Sequence, residues 1–255
     1  MDIKKYPYGN IKPPYIQISL RTKLDMRDRS FGKLLADILW SSEDRYAPTH
    51  VELDFEKAVS CENQDDFLEK WCVLKTRTIE GIEYEFPKKL HWKNMNSFKC
   101  DGSFVHKFTA TNGNEACGSL MVTFAYLDKI DWKTIFLSLC ELMQPQLGML
   151  HLFTPENCPP DCREAKFQTG HFHSLFEPVV PGLGWIFAAG EEFYERIMST
   201  NIDRLNLDRI DYGTYATLEI AKSAGEILND LQSFQARRDS LAEDFAIPIV
   251  PNITL

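Results

Sequence analysis

Two periods alternate along this chain and divide it into blocks. Tyr15 to Lys23 repeats every second residue, with Ile16, Ile18 and Leu20 on one side and Gln17, Ser19 and Arg21 on the other. That is the pattern of a half-buried strand. Phe31, Leu34, Leu35, Ile38 and Leu39 then recur at helical spacing, which predicts an amphipathic helix of about three turns. Val51 to Phe55 alternates again and reads as a short strand. Asn63 is placed as an N-cap, with Asp65 and Asp66 in the first turn and Phe67, Leu68, Trp71 and Cys72 as the inward stripe. A second helix is therefore expected from Gln64 to Lys75, with an acidic outer side.

From Thr78 to Leu127 the period is two. Ile82, Tyr84 and Phe86 form one run, Phe104, His106, Phe108 and Ala110 another, and Leu120, Val122, Phe124 and Tyr126 a third. Breaks with turn chemistry at Pro87-Lys88-Lys89, Cys100-Asp101-Gly102 and Thr111-Asn112-Gly113-Asn114 make this an antiparallel meander of at least three strands. Asp131 caps a helix whose stripe is Trp132, Ile135, Phe136, Leu139 and Met143 and which ends before Pro145. Leu147 to Phe153 reads as a buried strand, and Leu183 to Ala188 as another, entered through Pro181, Gly182 and Gly184. The polar connection between them is roughly 25 residues, longer than compact domains usually use.

Beyond it, Glu191 to Met198 reads as a short helix and Leu205 to Leu218 as strand-like. Ser223-Ala224-Gly225-Glu226 is a capping box opening a helix with Ile227, Leu228, Leu231 and Phe234 inward. The tail from Ile247 reads as extended. Blocks of strands and helices without regular alternation define an α+β protein, with a mixed or mainly antiparallel sheet and helices packed against it. No linker or repeat divides it, so residues 1–255 are expected to form one domain.

Composition changes the picture in two ways. The 37 Asp and Glu outnumber the 28 Lys and Arg, giving a formal charge of −9 that repels nucleic acid and anionic membranes and favours a basic partner. Residues 1–33 hold eight Lys/Arg and three Asp/Glu, so the rest of the chain carries −14. Residues 41–69 alone hold nine acids and two bases, either an ordinary solvated face or a docking surface. The seven cysteines are odd in number and irregularly spaced, as expected of free thiols in a reducing compartment. No signal-peptide core or membrane-length apolar run is legible, so a cytoplasmic location is expected.

Chemistry is sparse. No nucleophile elbow, phosphate-cradling loop, dinucleotide fingerprint or zinc helix is present. Cys158, Cys162, His171 and His173 fall within 16 residues and are zinc-competent, but Pro159-Pro160 and the gap to the His-x-His pair match no common zinc pattern. No metal and no cofactor are expected. A thiol or metal enzyme built on this loop is the alternative reading, since Cys158 or Cys162 needs only a nearby base such as His171. His151, alone on an apolar strand, reads as a hydrogen-bonded core histidine, and Trp185 among glycines as a space-filling residue.

The Pro181-Gly182-Leu183-Gly184-Trp185 corner, the Leu150-His151-Leu152-Phe153 strand with Gly148 before it, and the final strand and helix together resemble the bacterial immunity protein 52 family, best over residues 131–231. The resemblance implies a cytoplasmic, non-enzymatic antidote encoded beside a polymorphic or type VI secreted toxin, commonly one of restriction-endonuclease fold. The expected partner is then a basic nuclease toxin, with no direct contact to nucleic acid or membrane. Expected binding residues are the acids Glu62, Asp65, Asp66 and Glu69, followed by His171 and His173 of the central loop.

Overall fold

A computed structural model of the chain describes residues 11–41, 46–54, 56–94, 96, 98–156, 183–199 and 207–244. Its centre is β1 (Tyr15–Thr22), all eight residues of which are buried. Two distant strands flank it antiparallel, β10 (Gly118–Ala125) and β11 (Leu147–Phe153). Ile16, Ile18 and Leu20 lie opposite Phe124, Val122 and Leu120 on one side and Leu152, Leu150 and Gly148 on the other. This builds an apolar face, which α1 (Arg29–Trp40) and α3 (Trp132–Met143) pack against. A side chain at Gly148 would bring its Cβ within 2.7 Å of Leu20 Cδ2, so the glycine permits that layer to close.

The sheet extends to ten strands on both sides of this centre. Beyond β10 come β7 (Cys100–Val105), β6 (Leu90–Asn94), β2 (His50–Leu53) and β3 (Val59–Ser60). Beyond β11 come β12 (Ile186–Gly190), β14 (Tyr215–Glu219) and β13 (Asp208–Asp211). Every described ladder is antiparallel, and the architecture is α+β. Two short helices complete the first face and the far end: α2 (Gln64–Glu69) and α4 (Tyr194–Met198). Next come α5 (Ala224–Asn229) and α6 (Leu231–Asp244). Among the described residues no helix is long and apolar enough to cross a membrane.

The polar side of β1 departs from expectation. Gln17, Ser19 and Arg21 are all at most 2% exposed, so the strand is buried on both faces. Burial is offset by pairing of the donors: Gln17 Nε2 donates to Ser19 Oγ at 3.0 Å, and Arg21 Nε donates to Gln146 Oε1 at 2.7 Å, while Gln17 Oε1 has no hydrogen-bond partner among the described residues. Over the same face lies α6, whose Phe234 ring stacks on His151 at 5.9 Å. His151 is fully buried and also meets Phe153 edge-on at 4.5 Å.

Three further expectations are corrected. The helix from Gln64 ends at Glu69 rather than Lys75, because tight turns from Lys70 N–H to the Phe67 carbonyl and from Trp71 N–H to the Leu68 carbonyl close it, and Cys72 follows with φ 53°. The apolar spacing of Trp71 persists because its ring still points inward, under Gly32. The meander is split. Ile82 to Pro87 forms β5, paired among the described residues only with β4 (Leu74–Ile79) in a separate hairpin that reverses at Glu80-Gly81, while Cys100-Asp101-Gly102 lies inside β7. The turn at Asn112-Gly113 does reverse the chain, between the short strands β8 (Phe108–Thr109) and β9 (Glu115–Ala116). Finally, Leu228 is 44% exposed, since the backbone breaks at Asp230 (φ −145°, ψ 70°) and α6 starts with a new helical phase.

Candidate interaction surface

The short helix α2 is fixed from beneath. Phe67, Leu68 and Trp71 are buried, and Phe67 meets Trp92 edge-on at 5.6 Å and Trp40 at 5.9 Å. The Trp71 indole N–H reaches the carbonyls of Met26 and Asp28, both at 3.1 Å. At the front, Asn63 Oδ1 accepts the Asp66 N–H at 3.1 Å while the Asp66 carboxylate accepts the N–H groups of Glu62 and Asn63 at 2.7 and 3.3 Å. This reciprocal capping engages Asp66 in holding the helix start. Glu62, Asp65 and Glu69 are exposed and have no ion-pair partner among the described residues.

Directly after this helix the chain leaves the sheet as the β4–β5 hairpin. Neither strand contains a buried residue. Its register places Lys75, Arg77 and Ile79 with Phe86, Tyr84 and Ile82 on one face, and Thr76 and Thr78 with Glu85 and Glu83 on the other. The base is clamped. Lys75 pairs with Asp54, Lys88 pairs with Glu56, and Phe86 meets Phe108 edge-on at 5.8 Å. Burial raises the Asp54 carboxyl, but bonds from the Lys75 ammonium and the Lys89 N–H outweigh it and hold the group below its ordinary value. The tip is open, with Ile79 at 39% and Ile82 at 57% exposure. A two-stranded ribbon is marginal by itself in water, so a projecting one with an apolar tip is an unusual use of surface.

Of the acid-rich stretch 41–69, Asp54 and Glu56 are thus neutralised by the hairpin lysines and Asp66 serves a cap. Of its other acids Glu52 is half-buried on β2 and Glu43 and Asp44 lie outside the described residues, which leaves Glu62, Asp65 and Glu69 exposed, joined by the exposed Glu80, Glu83 and Glu85 of the hairpin. Alternation alone located Ile82, Tyr84 and Phe86 in a strand but assigned them to the sheet. The signal that separates them is the charged content of both strands on both faces, which a buried ribbon could not hold.

Cys158, Cys162, His171 and His173 lie outside the described residues. The described cysteines, at 61, 72, 100, 117 and 140, are free thiols. Burial pushes Cys61 up to about 11 and raises Cys72, Cys100 and Cys140 as well, which disfavours the nucleophilic thiolate at each. Among the described residues no group of three His, Cys, Asp or Glu is placed to hold a metal ion. Trp185 is 4% exposed and donates its indole N–H to the Ala221 carbonyl at 2.6 Å, so it is a buried residue; Pro181 and Gly182 of the expected corner lie outside the described residues. This end of the molecule offers binding chemistry: fixed carboxylates at the surface, an apolar tip and a rigid base.

No protein-family model matches the chain, and no curated protein sequence matches it significantly. Among solved structures, the fold is similar to that of the Pseudomonas aeruginosa T6SS protein PA0821, with a TM-score of 0.55 and 11% sequence identity. The match covers 90% of this chain and 72% of that one.

Proposed function

We propose that this protein is an immunity protein, a cytoplasmic antidote that binds a cognate secreted toxin and blocks it sterically and electrostatically, the toxin being a basic nuclease of restriction-endonuclease fold. The observation that carries the reading is the surface formed by α2 and the β4–β5 hairpin, where six exposed carboxylates have no cation paired to them among the described residues. A nuclease must hold a polyanion and therefore presents a basic groove. Carboxylates held on a rigid support compete for that field and speed encounter with it. The resemblance to the immunity protein 52 family and the fold similar to that of a T6SS protein agree with an immunity role linked to a secreted toxin.

The test is co-expression with the product of an adjacent toxin gene. Growth rescue, a stoichiometric complex and loss of nuclease activity in the purified complex are the expected results. A toxin that kills equally with and without this protein, and shows no complex, removes the reading.

A further inference from the structure

At the opposite end of the sheet from α2 lies a cleft of about 500 Å³ between α3 and the β13–β14 turn. Leu137, Ser138 and Glu141 line it from one face of α3, because residues three and four apart share a side of a helix. Gln144, in the left-handed conformation with φ 42°, closes the end. Across the gap stand Tyr212 and Tyr215, stacked at 4.8 Å with 15° between their planes. Tyr215 is buried, whereas Tyr212 is 40% exposed.

The turn carrying these rings is held in place before any ligand arrives. Tyr212 N–H donates to the Tyr215 carbonyl at 2.9 Å, Gly213 takes φ 83°, and its N–H donates to Asp211 Oδ1 at 2.7 Å. Tyr194 Oη donates to that same Asp211 oxygen at 2.9 Å, tying the turn to α4. A rigid wall lowers the ordering cost of binding.

The electrostatic character of the cleft is negative from two sources. Glu141 is exposed and has no ion-pair partner among the described residues. The C-terminal end of α3, with its partial negative charge, faces the same space and carries no basic residue in its last turn. Burial raises the Tyr215 phenol above its ordinary range and keeps it neutral, and of the groups that add to that rise only the Glu141 carboxylate is charged near neutral pH. The nearest cation on α3, Lys133, is engaged with Glu219.

We infer that this cleft is a binding site for the guanidinium of an arginine side chain presented by a peptide or protein partner. A flat cation stacks on the exposed Tyr212 face while its forked N–H groups reach the Glu141 carboxylate and the Ser138 hydroxyl, and Leu137 covers the aliphatic stem. Lysine, a compact and strongly hydrated charge, fits the combination of flat aromatic wall and carboxylate less well. The inference does not depend on the immunity reading, since its chemistry is that of the cleft alone.

The experiment is a ¹H–¹⁵N NMR titration of the full chain with N-acetyl-arginine methylamide, its lysine counterpart and the neutral citrulline isostere. Saturable shifts confined to residues around Glu141, Tyr212 and Tyr215 are expected with arginine, several-fold weaker binding with lysine, and none with citrulline. Glu141→Gln and Tyr212→Ala, both at exposed positions, should each weaken arginine binding by about 5- to 10-fold with an otherwise unchanged spectrum. Equal response to citrulline or lysine, shifts spread over the surface, or arginine binding unaltered by both variants would overturn the site. Because no toxin is present in this measurement, its failure leaves the toxin experiment unaffected.

Discussion

Strand β1 and the β4–β5 hairpin are written in the same alternating code and meet opposite fates. In β1 both faces are enclosed, one by apolar neighbours and the other by polar groups under α6. In the hairpin neither face is enclosed, although Ile79, Ile82, Tyr84 and Phe86 alternate as regularly as Ile16, Ile18 and Leu20. The difference teaches that periodicity reports backbone form while burial is decided by what the rest of the chain brings to the ladder. It also divides the molecule by purpose. Enclosed strands supply stability, and an open ribbon on a clamped base supplies the exposed surface on which the proposed binding rests.

The comparison breaks most visibly at the enclosed end. Trp185→Ala removes a buried indole and its bond to the Ala221 carbonyl. It should cost roughly 3 to 5 kcal/mol in urea or thermal unfolding, the range for large aromatic truncations. An unchanged melting temperature with loss of partner binding would move Trp185 to an interface.

Acid should reach the core next. His106 is fully buried against Trp71 at 4.7 Å and Phe104 at 4.8 Å. Burial holds its pKa down to about 4, from 6.5, against the opposing pull of the Asp25 carboxylate. Below 6.5 the unfolded chain binds a proton that the folded chain refuses, so stability is complete above that value and falls as the pH drops towards 4. On the order of 2 to 3 kcal/mol should be lost across this window. Unfolding curves at pH 7 and pH 4.5 measure it, and His106→Gln should flatten the dependence.

Smaller effects are expected at the rim. Asp66→Ala removes the reciprocal cap of α2 and should cost roughly 0.5 to 1.5 kcal/mol, whereas its neighbour Asp65→Ala should be near neutral. Equal costs would mean that the capping bonds contribute nothing. Substituting Glu62, Asp65 and Glu69 together by Gln or Asn should leave stability within about 0.5 kcal/mol yet slow association with the toxin and flatten its salt dependence. Stopped-flow rates at low and high ionic strength read this directly, and equal rates at low salt would reduce the face to solvated surface. Adding Ile82→Ser at the hairpin tip should change stability as little and speed dissociation, which competition release would detect.

Local signals were the legible part of the fold. Asn63, Asp131 and Ser223 cap helices where their side chains foretell it, and Leu147–Phe153 is the buried strand its composition describes. What stayed hidden depends on partners far along the chain. Arg21 is buried because Gln146 arrives from 125 positions away, and the tyrosine cleft joins Glu141 to a turn at Tyr212. Of the candidate site, the outward acids around Asp65 were readable from helix spacing, but the use of Asp66 as a cap partner and the separation of the hairpin were not. Both turn on geometry at a helix start and a strand edge that composition does not encode.

The central position of β1 also sets a timetable. Tyr15–Thr22 is synthesised early, yet one of its two neighbours ends at Phe153. At the usual pace of translation, roughly 7 to 26 seconds separate the emergence of these strands from the ribosome. Until Gly118–Ala125 follows, this fully buried strand has both edges unpaired and its Ile16, Ile18 and Leu20 side chains in water, and the edge that pairs with β11 stays open until Phe153. Such non-local pairing makes for slow folding and a window for misassociation. The N-terminal strand is the segment for which a chaperone matters most.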